Sequence, residues 1–408
     1  MKRVIIIGVG AQGSTIAKRL NEDAHVSEII CADYDLKAAR EIGNTLDKAT
    51  ALQLDAGQVD NVIQAARDGD IIVNGLPLEY NLIIMEAALA VNASYMDMAG
   101  PMLEEVGFVE SYKLIFSEWH DRFKEKGLTA LVGAGSTPGL ANVVARESVD
   151  KMDACDKIGI YVYDGVWTNR FTPFWWSPEV ALGDMGYITF RCENGEIITD
   201  KPFSRPEMMQ FRGVPNPVRM VDHEHDEPVT MGLLKDKVLK GVKNVEFKYG
   251  GPSVALSESL YQMGLLSLEP VDVNGTAIVP MDLVLKLTPP APKYPDEIKA
   301  ILDEGMAMEE GAFLVRVQGR KNGQALCIDS YLAAPGLAEA FAKSQISHES
   351  YVTGQCASVF AKMMVNDVFT EKGLFSPEEL GTEERSFCFR ELAKLGVTID
   401  EIVETRLY

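Results

Sequence analysis

An apolar, β-branched run, Val4-Ile5-Ile6-Ile7, breaks at Gly8-Val9-Gly10-Ala11-Gln12-Gly13, and Ser14 to Leu20 then reads as a helix. A buried strand, a G-x-G-x-x-G turn and a helix are the opening of a dinucleotide-binding βαβ unit. Each glycine has a task. Gly8 permits the tight turn, Gly10 lets the backbone approach a pyrophosphate, and Gly13 lets the helix lie close to the strand. The helix N-terminus offers N–H groups and the positive end of a dipole to the phosphates. The motif alone is weak, and it gains weight from the residues downstream.

Ile29 to Ala32 is a short apolar run ending in Asp33, about twenty residues past the glycines, where an acid hydrogen-bonds the adenosine ribose. A carboxylate there repels a 2′-phosphate and favours NAD. Lys37 and Arg40 leave NADP open, unless they simply decorate a solvated helix face. Strands are expected at 50–55, 70–75 and 94–98, and helices at 36–46, 59–67 and 82–90. This alternation implies a doubly wound parallel sheet, the α/β Rossmann architecture. Cofactors bind at the carboxyl ends of such strands, where Asp33, Asp55, Asn74 and Asp97 all fall.

Several segments succeed one another in a familiar order: Gly8 to Gly13, Leu54-Asp55-Ala56-Gly57, Val73-Asn74-Gly75-Leu76-Pro77, Tyr95 to Gly100, and Gly135-Ser136-Thr137-Pro138-Gly139. Together they resemble the saccharopine dehydrogenase family, with the likeness nearest to its lysine 6-dehydrogenase-like members. The resemblance covers the first 140 residues or so, is diffuse in the middle, and returns near 345–380, where Tyr351 to Ser358 leads a helix. It implies an NAD(P)-dependent oxidoreductase of amino-acid metabolism acting on the CH–NH group of an amino acid or amino-acid conjugate. The alternatives are an imine reductase of the saccharopine or carboxynorspermidine type, or a cofactor-binding Rossmann protein without turnover. The expected cofactor residues are Gly8, Gly10, Ala11, Gln12 and Gly13 at the pyrophosphate, Asp33 at the ribose, and Asp55 and Ala56 on the adenine side. Asn74, Gly75, Leu76 and Asp97 would line the nicotinamide cleft. The resemblance also implies a homodimer.

At 408 residues the chain exceeds one typical domain, and a net charge of −21 argues against nucleic acid and anionic membrane surfaces as partners. No apolar run approaches the roughly 18–20 residues of a membrane span. Six cysteines lie scattered without C-x-x-C spacing, so free thiols in the cytoplasm are expected, with no metal site. The expected domains are a Rossmann domain over 1–140, an α+β substrate and dimerisation domain over 141–345 with a largely antiparallel sheet, and a C-terminal segment over 371–408. A helix near 346–370 is expected to return to the first domain. Strands are expected at 158–163, 245–249 and 281–287, and hairpins about Asn194-Gly195 and Asn322-Gly323. Thr137 and Pro138 suggest a helix entry with proline at the first helical position.

Oxidising a carbon–nitrogen bond needs a proton acceptor beside the cofactor. His223-Glu224-His225-Asp226-Glu227 is the densest titratable cluster, expected as a solvated acidic loop, with a base role for His223 or His225, or a metal site, as alternatives. Glu79 and Tyr80, after the fourth strand, are further catalytic candidates. Trp167, Phe171, Phe174, Trp175 and Trp176 would wall a substrate pocket or a dimer interface, with Arg170 pairing a substrate carboxylate and Arg212 a weaker candidate beside Arg219 and Lys235. Where related sequences often place an acid before the 135–139 turn, this chain has Ala134.

Overall fold

The computed structural model describes residues 1–103 and 105–405. Its contacts divide the chain into two compact units: Met1–Glu147 with Tyr351–Thr398, and Ser148–Ser350 with the residues from Ile399 onward.

The first unit is built on a parallel sheet. Strands β1 (Lys2–Ile7), β2 (Val26–Asp33), β3 (Ala49–Gln53), β4 (Ile71–Asn74), β5 (Ser94–Met96) and β6 (Thr129–Leu131) lie in the order β6-β5-β4-β1-β2-β3. This is the doubly wound order, with its switch point between β1 and β4. Val4, Ile5 and Ile6 are wholly buried. A central strand covered on both faces loses its alternation, which is why β1 reads as an unbroken apolar run. Burying each such side chain stabilises by about 1.5–3 kcal/mol. A seventh strand, Gly373–Phe375, pairs parallel with β6 and extends that end of the sheet. Between β5 and β6 run the helices Phe108–Leu114 and His120–Glu125, with a π-helical stretch, Ile115–Trp119, joining them. The Thr137–Pro138 peptide is cis and the next helix begins at Leu140, so Pro138 belongs to the turn and not to the first helical position.

The second unit is built on a mixed, mostly antiparallel sheet. Its spine is Ala154–Thr168, Met306–Lys321 and Gln324–Ala333, paired antiparallel, with Asn244–Gly250 parallel to the first of these. Both expected Asn-Gly hairpins form, with Asn194 and Gly195 at φ 52° and 86° and Asn322 and Gly323 at φ 52° and 77°. Two successive positive φ values are what a two-residue type I′ turn requires. A third Asn-Gly turn, Asn274-Gly275, joins Val271–Val273 to Thr276–Ile278, a hairpin absent from the sequence expectation. The stretch 281–287, expected as a strand, is instead the helix Pro280–Leu287. Pro280 at the first position brings a φ preset for a helix. Thr288 Oγ1 donates to Val284 O at 2.8 Å at the other end. Leu283 and Leu287 stand four apart as well as in alternation, so the two periods overlap over so short a run.

Candidate functional site

The glycine turn joins β1 to the first helix, α1 (Ala11–Asn21). Gly8 has φ 84°, and a Cβ there would stand 2.7 Å from Leu76 Cδ2 and 2.9 Å from the Gly75 carbonyl. A Cβ on Gly13 would overlap the Gly8 carbonyl oxygen. Both glycines are therefore fixed by the chain's own packing. Gly10 differs: a Cβ there would meet nothing within 4 Å. Gly10 is also the N-cap of α1, with no side chain to cap the first turn. The positive end of the α1 dipole thus faces open space above a bare backbone, a cradle suited to a pyrophosphate. Ala11 and Gln12, half-buried, form the first positions of the helix.

Asp33 holds this turn. Its Oδ2 accepts from Val9 N–H at 3.0 Å and its Oδ1 from Asp35 N–H at 2.9 Å. Asp55 is exposed and accepts from Gly57 N–H at 3.0 Å, while Ala56 is buried. Asn74 and Asp97 are buried and engaged within the chain. Asn74 donates to Asn81 Oδ1 at 2.6 Å and accepts from Leu76 N–H at 3.0 Å. Tyr95 donates to Asp97 Oδ2 at 2.9 Å, and Gly133 N–H to Asp97 Oδ1 at 2.7 Å. Burial and the Asp97 carboxylate keep the Tyr95 hydroxyl protonated, well above its ordinary range. These side chains pin the loops after β4, β5 and β6, and so hold Gly75 and Leu76 against the glycine turn. Glu79 is exposed and Tyr80 half-buried on the 3₁₀ turn Leu78–Tyr80.

The 135–139 turn is held from the far end of the chain. Gly139 N–H donates to Asn142 Oδ1 at 2.9 Å, and Asn142 donates to Glu378 Oε2 at 2.9 Å. Ser136 Oγ lies 3.0 Å from Thr353 Oγ1. Ala134, in the place of the acid, is fully buried. A cavity of about 340 Å³ lies at the opposite end of α1, lined by Arg19, Asp23, Lys362 and Glu391 among others, and holds none of the expected site residues.

In the second unit, the His223–Glu227 segment is not the solvated loop expected from its charge. Glu227 is fully buried, His223 and Asp226 are buried, and Glu224 and His225 half-buried. Phe247 stacks on the His225 ring at 3.8 Å, and Asp184, from the helix Pro178–Gly186, joins the group. Such burial is set by partners remote in sequence, which local composition does not report. His225 Nδ1 is paired with Glu227. Burial draws the His225 imidazole down, but Glu227, Asp226 and Asp184 outweigh it and raise it. Burial, offset by His225 and reinforced by Asp226, pushes the Asp184 carboxyl up to about 7. Burial and then Asp184, Asp226 and Glu227 raise Glu224 well above the usual carboxylate range. Among the described residues no three His, Cys, Asp or Glu side chains are arranged to hold a metal ion.

The aromatic group splits. Phe174 and Trp175 are buried, Trp175 against Ile298, Ile301 and Leu337, while Trp167 and Phe171 are exposed. Arg170 is paired with Glu304, so the bond expected for a substrate carboxylate is already occupied by a carboxylate of the chain. Arg212 is largely exposed, 3.6 Å from Asp400. Arg219 is engaged with Glu258 and Lys235 with Gly195 O. One further pair is invisible to sequence reasoning: His348 Nε2 lies 3.5 Å from Asp164 Oδ1, with the His348 ring edge-on to Trp175 at 5.1 Å. The two are 184 residues apart by number, and nothing local marks either one.

Two family descriptions cover nearly the whole chain. Saccharopine dehydrogenase NADP binding domain matches residues 4–131, and Saccharopine dehydrogenase C-terminal domain matches 135–397. A carboxyaminopropylagmatine dehydrogenase from Synechocystis is 24% identical over 99% of this chain and 98% of its own length. A carboxynorspermidine synthase from Vibrio alginolyticus is 24% identical over 92% of each. Among solved structures, saccharopine dehydrogenase (L-Glu forming) from Saccharomyces cerevisiae has a TM-score of 0.67 at 14% identity, covering 99% of this chain and 100% of that one. Homospermidine synthase from Legionella pneumophila, in complex with NAD, has a TM-score of 0.69 at 13% identity, covering 99% and 91%. At these identities the two structures bear on the fold alone.

Proposed function

The chain belongs to the saccharopine dehydrogenase family, and on that premise we propose that it is an NAD(P)-dependent oxidoreductase of a CH–NH bond in a secondary amine that links a carboxyl-bearing carbon chain to a polyamine. In the reducing direction an amine, a carbonyl and one proton combine with loss of water to give an iminium. A hydride with its electron pair, which the cofactor would supply, then adds to the iminium carbon and gives the secondary amine. The oxidising direction reverses each step and consumes water.

The observation that carries the reading is the pair of family matches spanning 4–131 and 135–397, supported by two polyamine-named relatives aligned over 92% or more of their length. The open backbone at Gly10 and the uncapped start of α1 fit the cofactor. When bound, NAD(P) supplies or takes the hydride. The residues that would hold it are Gly8 to Gly13 at the pyrophosphate, Asp33 at the ribose and Asp55 with Ala56 beside the adenine. Asn74 and Asp97 act as positioning residues, fixing the loops that carry Gly75 and Leu76. The Asp33 carboxylate disfavours a 2′-phosphate, so NAD is the preferred form, with NADP accepted more weakly. Lys37 is drawn toward Glu41, 3.7 Å away, and leaves that preference intact.

The test is direct. Purified protein is titrated with NADH and NADPH, then given carboxynorspermidine, saccharopine or lysine with each oxidised cofactor. NADH binding and oxidation of carboxynorspermidine are expected. Failure to bind either cofactor overturns the oxidoreductase reading. Turnover of lysine or saccharopine alone overturns the polyamine assignment and returns the substrate to the amino acids.

A further inference from the structure

In the second unit the carboxylates of Asp184, Asp226 and Glu227 act on the His225 imidazole, Glu224 lies among the same three acids, and the His223 ring stands 6.1 Å from that of His225. His223 adds an independent observation. It is only 8% exposed, and its Nδ1 lies 2.6 Å from Glu224 O. A carbonyl oxygen only accepts, so Nδ1 carries the hydrogen and Nε2 is a bare lone pair. That Nε2 is buried and has no hydrogen-bond partner among the described residues. Burial and the neighbouring His225 keep the ring neutral, pushed down to about 3. A buried acceptor without a donor is costly, and a ligand that donates to it would remove that cost.

The surrounding groups have the same need. The carboxylates accept, and the one imidazole raised toward its cationic form, His225, is already engaged by Glu227. Asp184 and Glu224 therefore retain protons more readily than ordinary carboxyls. Two aromatic rings flank the group, Phe247 stacked on His225 at 3.8 Å and Tyr249 at 5.3 Å from His223. Asp184, Glu224 and His225 are half-buried and give the group access to solvent. A ligand that satisfies it is a cation with several donors.

We propose that this cluster binds the terminal ammonium of an aliphatic polyamine, which donates to His223 Nε2 and to the Asp184 and Glu224 carboxylates. The ammonium replaces a proton that the carboxylates otherwise hold, and that proton passes to the solvent. The amine's place in a reaction rests on the oxidoreductase reading, whereas the binding rests on the cluster itself.

Calorimetry with norspermidine as probe, on the full chain at pH 7 in phosphate and in Tris, tests it. A single site is expected, with heats that differ between the buffers because a proton is released. Asp184→Asn and Glu224→Gln should each weaken binding at least tenfold, while NADH affinity stays unchanged and melting temperatures confirm folding. Asp184 is half-buried, so its isosteric variant decides the matter if the Glu224 variant does not fold. Absence of norspermidine binding at millimolar concentration, equal affinity in the variants, or identical heats in both buffers overturns the proposal. Norspermidine binding without any NADH binding leaves this proposal standing and removes the oxidoreductase reading.

Discussion

Gly10 and Gly13 sit three residues apart and fail in opposite ways when substituted. Around Gly10 there is open space, so Gly10→Trp should leave the melting temperature near that of the native chain while filling the pyrophosphate cradle. NADH affinity should fall by about a hundredfold or more, corresponding to roughly 3 kcal/mol of binding free energy. Gly13→Ala drives a Cβ into the Gly8 carbonyl, so it should cost about 1–3 kcal/mol of stability, read by denaturant unfolding. Asp184 gives a prediction of the other kind. Its folded pKa of about 7 stands above the ordinary 3.8. The folded chain thus binds the extra proton between those values, and stability from this group, complete below about 3.8, is lost as pH rises through 7. Asp184→Asn removes that loss. Its melting temperature relative to the native chain should rise between pH 4 and pH 8, and a constant difference would contradict the assignment. These residues also mark what a sequence discloses. Gly8, Gly10, Gly13 and Asp33 declare themselves because a strand, a turn and a helix set their roles within one βαβ unit. The burial of His223 is set by Phe247 and Tyr249, which no local window contains, so the same letters read as a solvated loop.

At the scale of elements, legibility tracks the strength of the local signal. Asn194-Gly195 and Asn322-Gly323 dictate their turns through two positive φ angles, and both hairpins form. The helix Pro280–Leu287 departs from the expected strand because seven alternating residues also fit a helical face, and Pro280 is the deciding signal. The strand Asn244–Gly250 carries a charge network that sequence patterning does not reveal. Burial pushes the Glu246 carboxyl up, but Lys157, Tyr161 and Arg205 outweigh it and hold it at about 2. Tyr161 donates to Glu246 at 2.7 Å, and Arg205 and Lys157 each lie 2.5 Å away. A carboxyl depressed in the folded state contributes stability above its ordinary pKa of 4.5, and loses it as pH falls through 2. The contribution is about 3 kcal/mol at neutral pH. Glu246→Gln should therefore be less stable than the native chain by about that amount near pH 7, with the gap closing on acidification. A gap independent of pH would show that the network acts through shape alone.

Across the whole molecule, the chain leaves its first unit at Glu147 and returns to it at Tyr351. Several bonds of that unit span this excursion. Asn142 reaches Glu378 across 236 residues, and Thr129 reaches Glu371 across 242. Arg385, 1% exposed, donates to Glu147 at 2.9 Å and to Leu380 O at 2.7 Å. Breaking one partner of a buried ion pair costs about 3–5 kcal/mol. Arg385→Ala should fall at the lower end, because Glu147 retains some solvent. It should also increase proteolytic cleavage within 371–398 before the second unit is cut. The returning segment is legible in outline from the resemblance near 345–380. Its pairing with β6 is not, since the three residues Gly373–Phe375 carry no strand signal of their own.

That seventh strand sets an order on synthesis. The β6 strand that it pairs with is made long before it: the β6 edge stays uncovered until Gly373–Phe375 has emerged, more than two hundred residues after Leu131. A polypeptide released early therefore carries a complete nucleotide fingerprint beside an open β6 edge, ready to pair with a neighbouring chain. A chain interrupted before Gly373 thus differs from one that contains it by an exposed β6 strand.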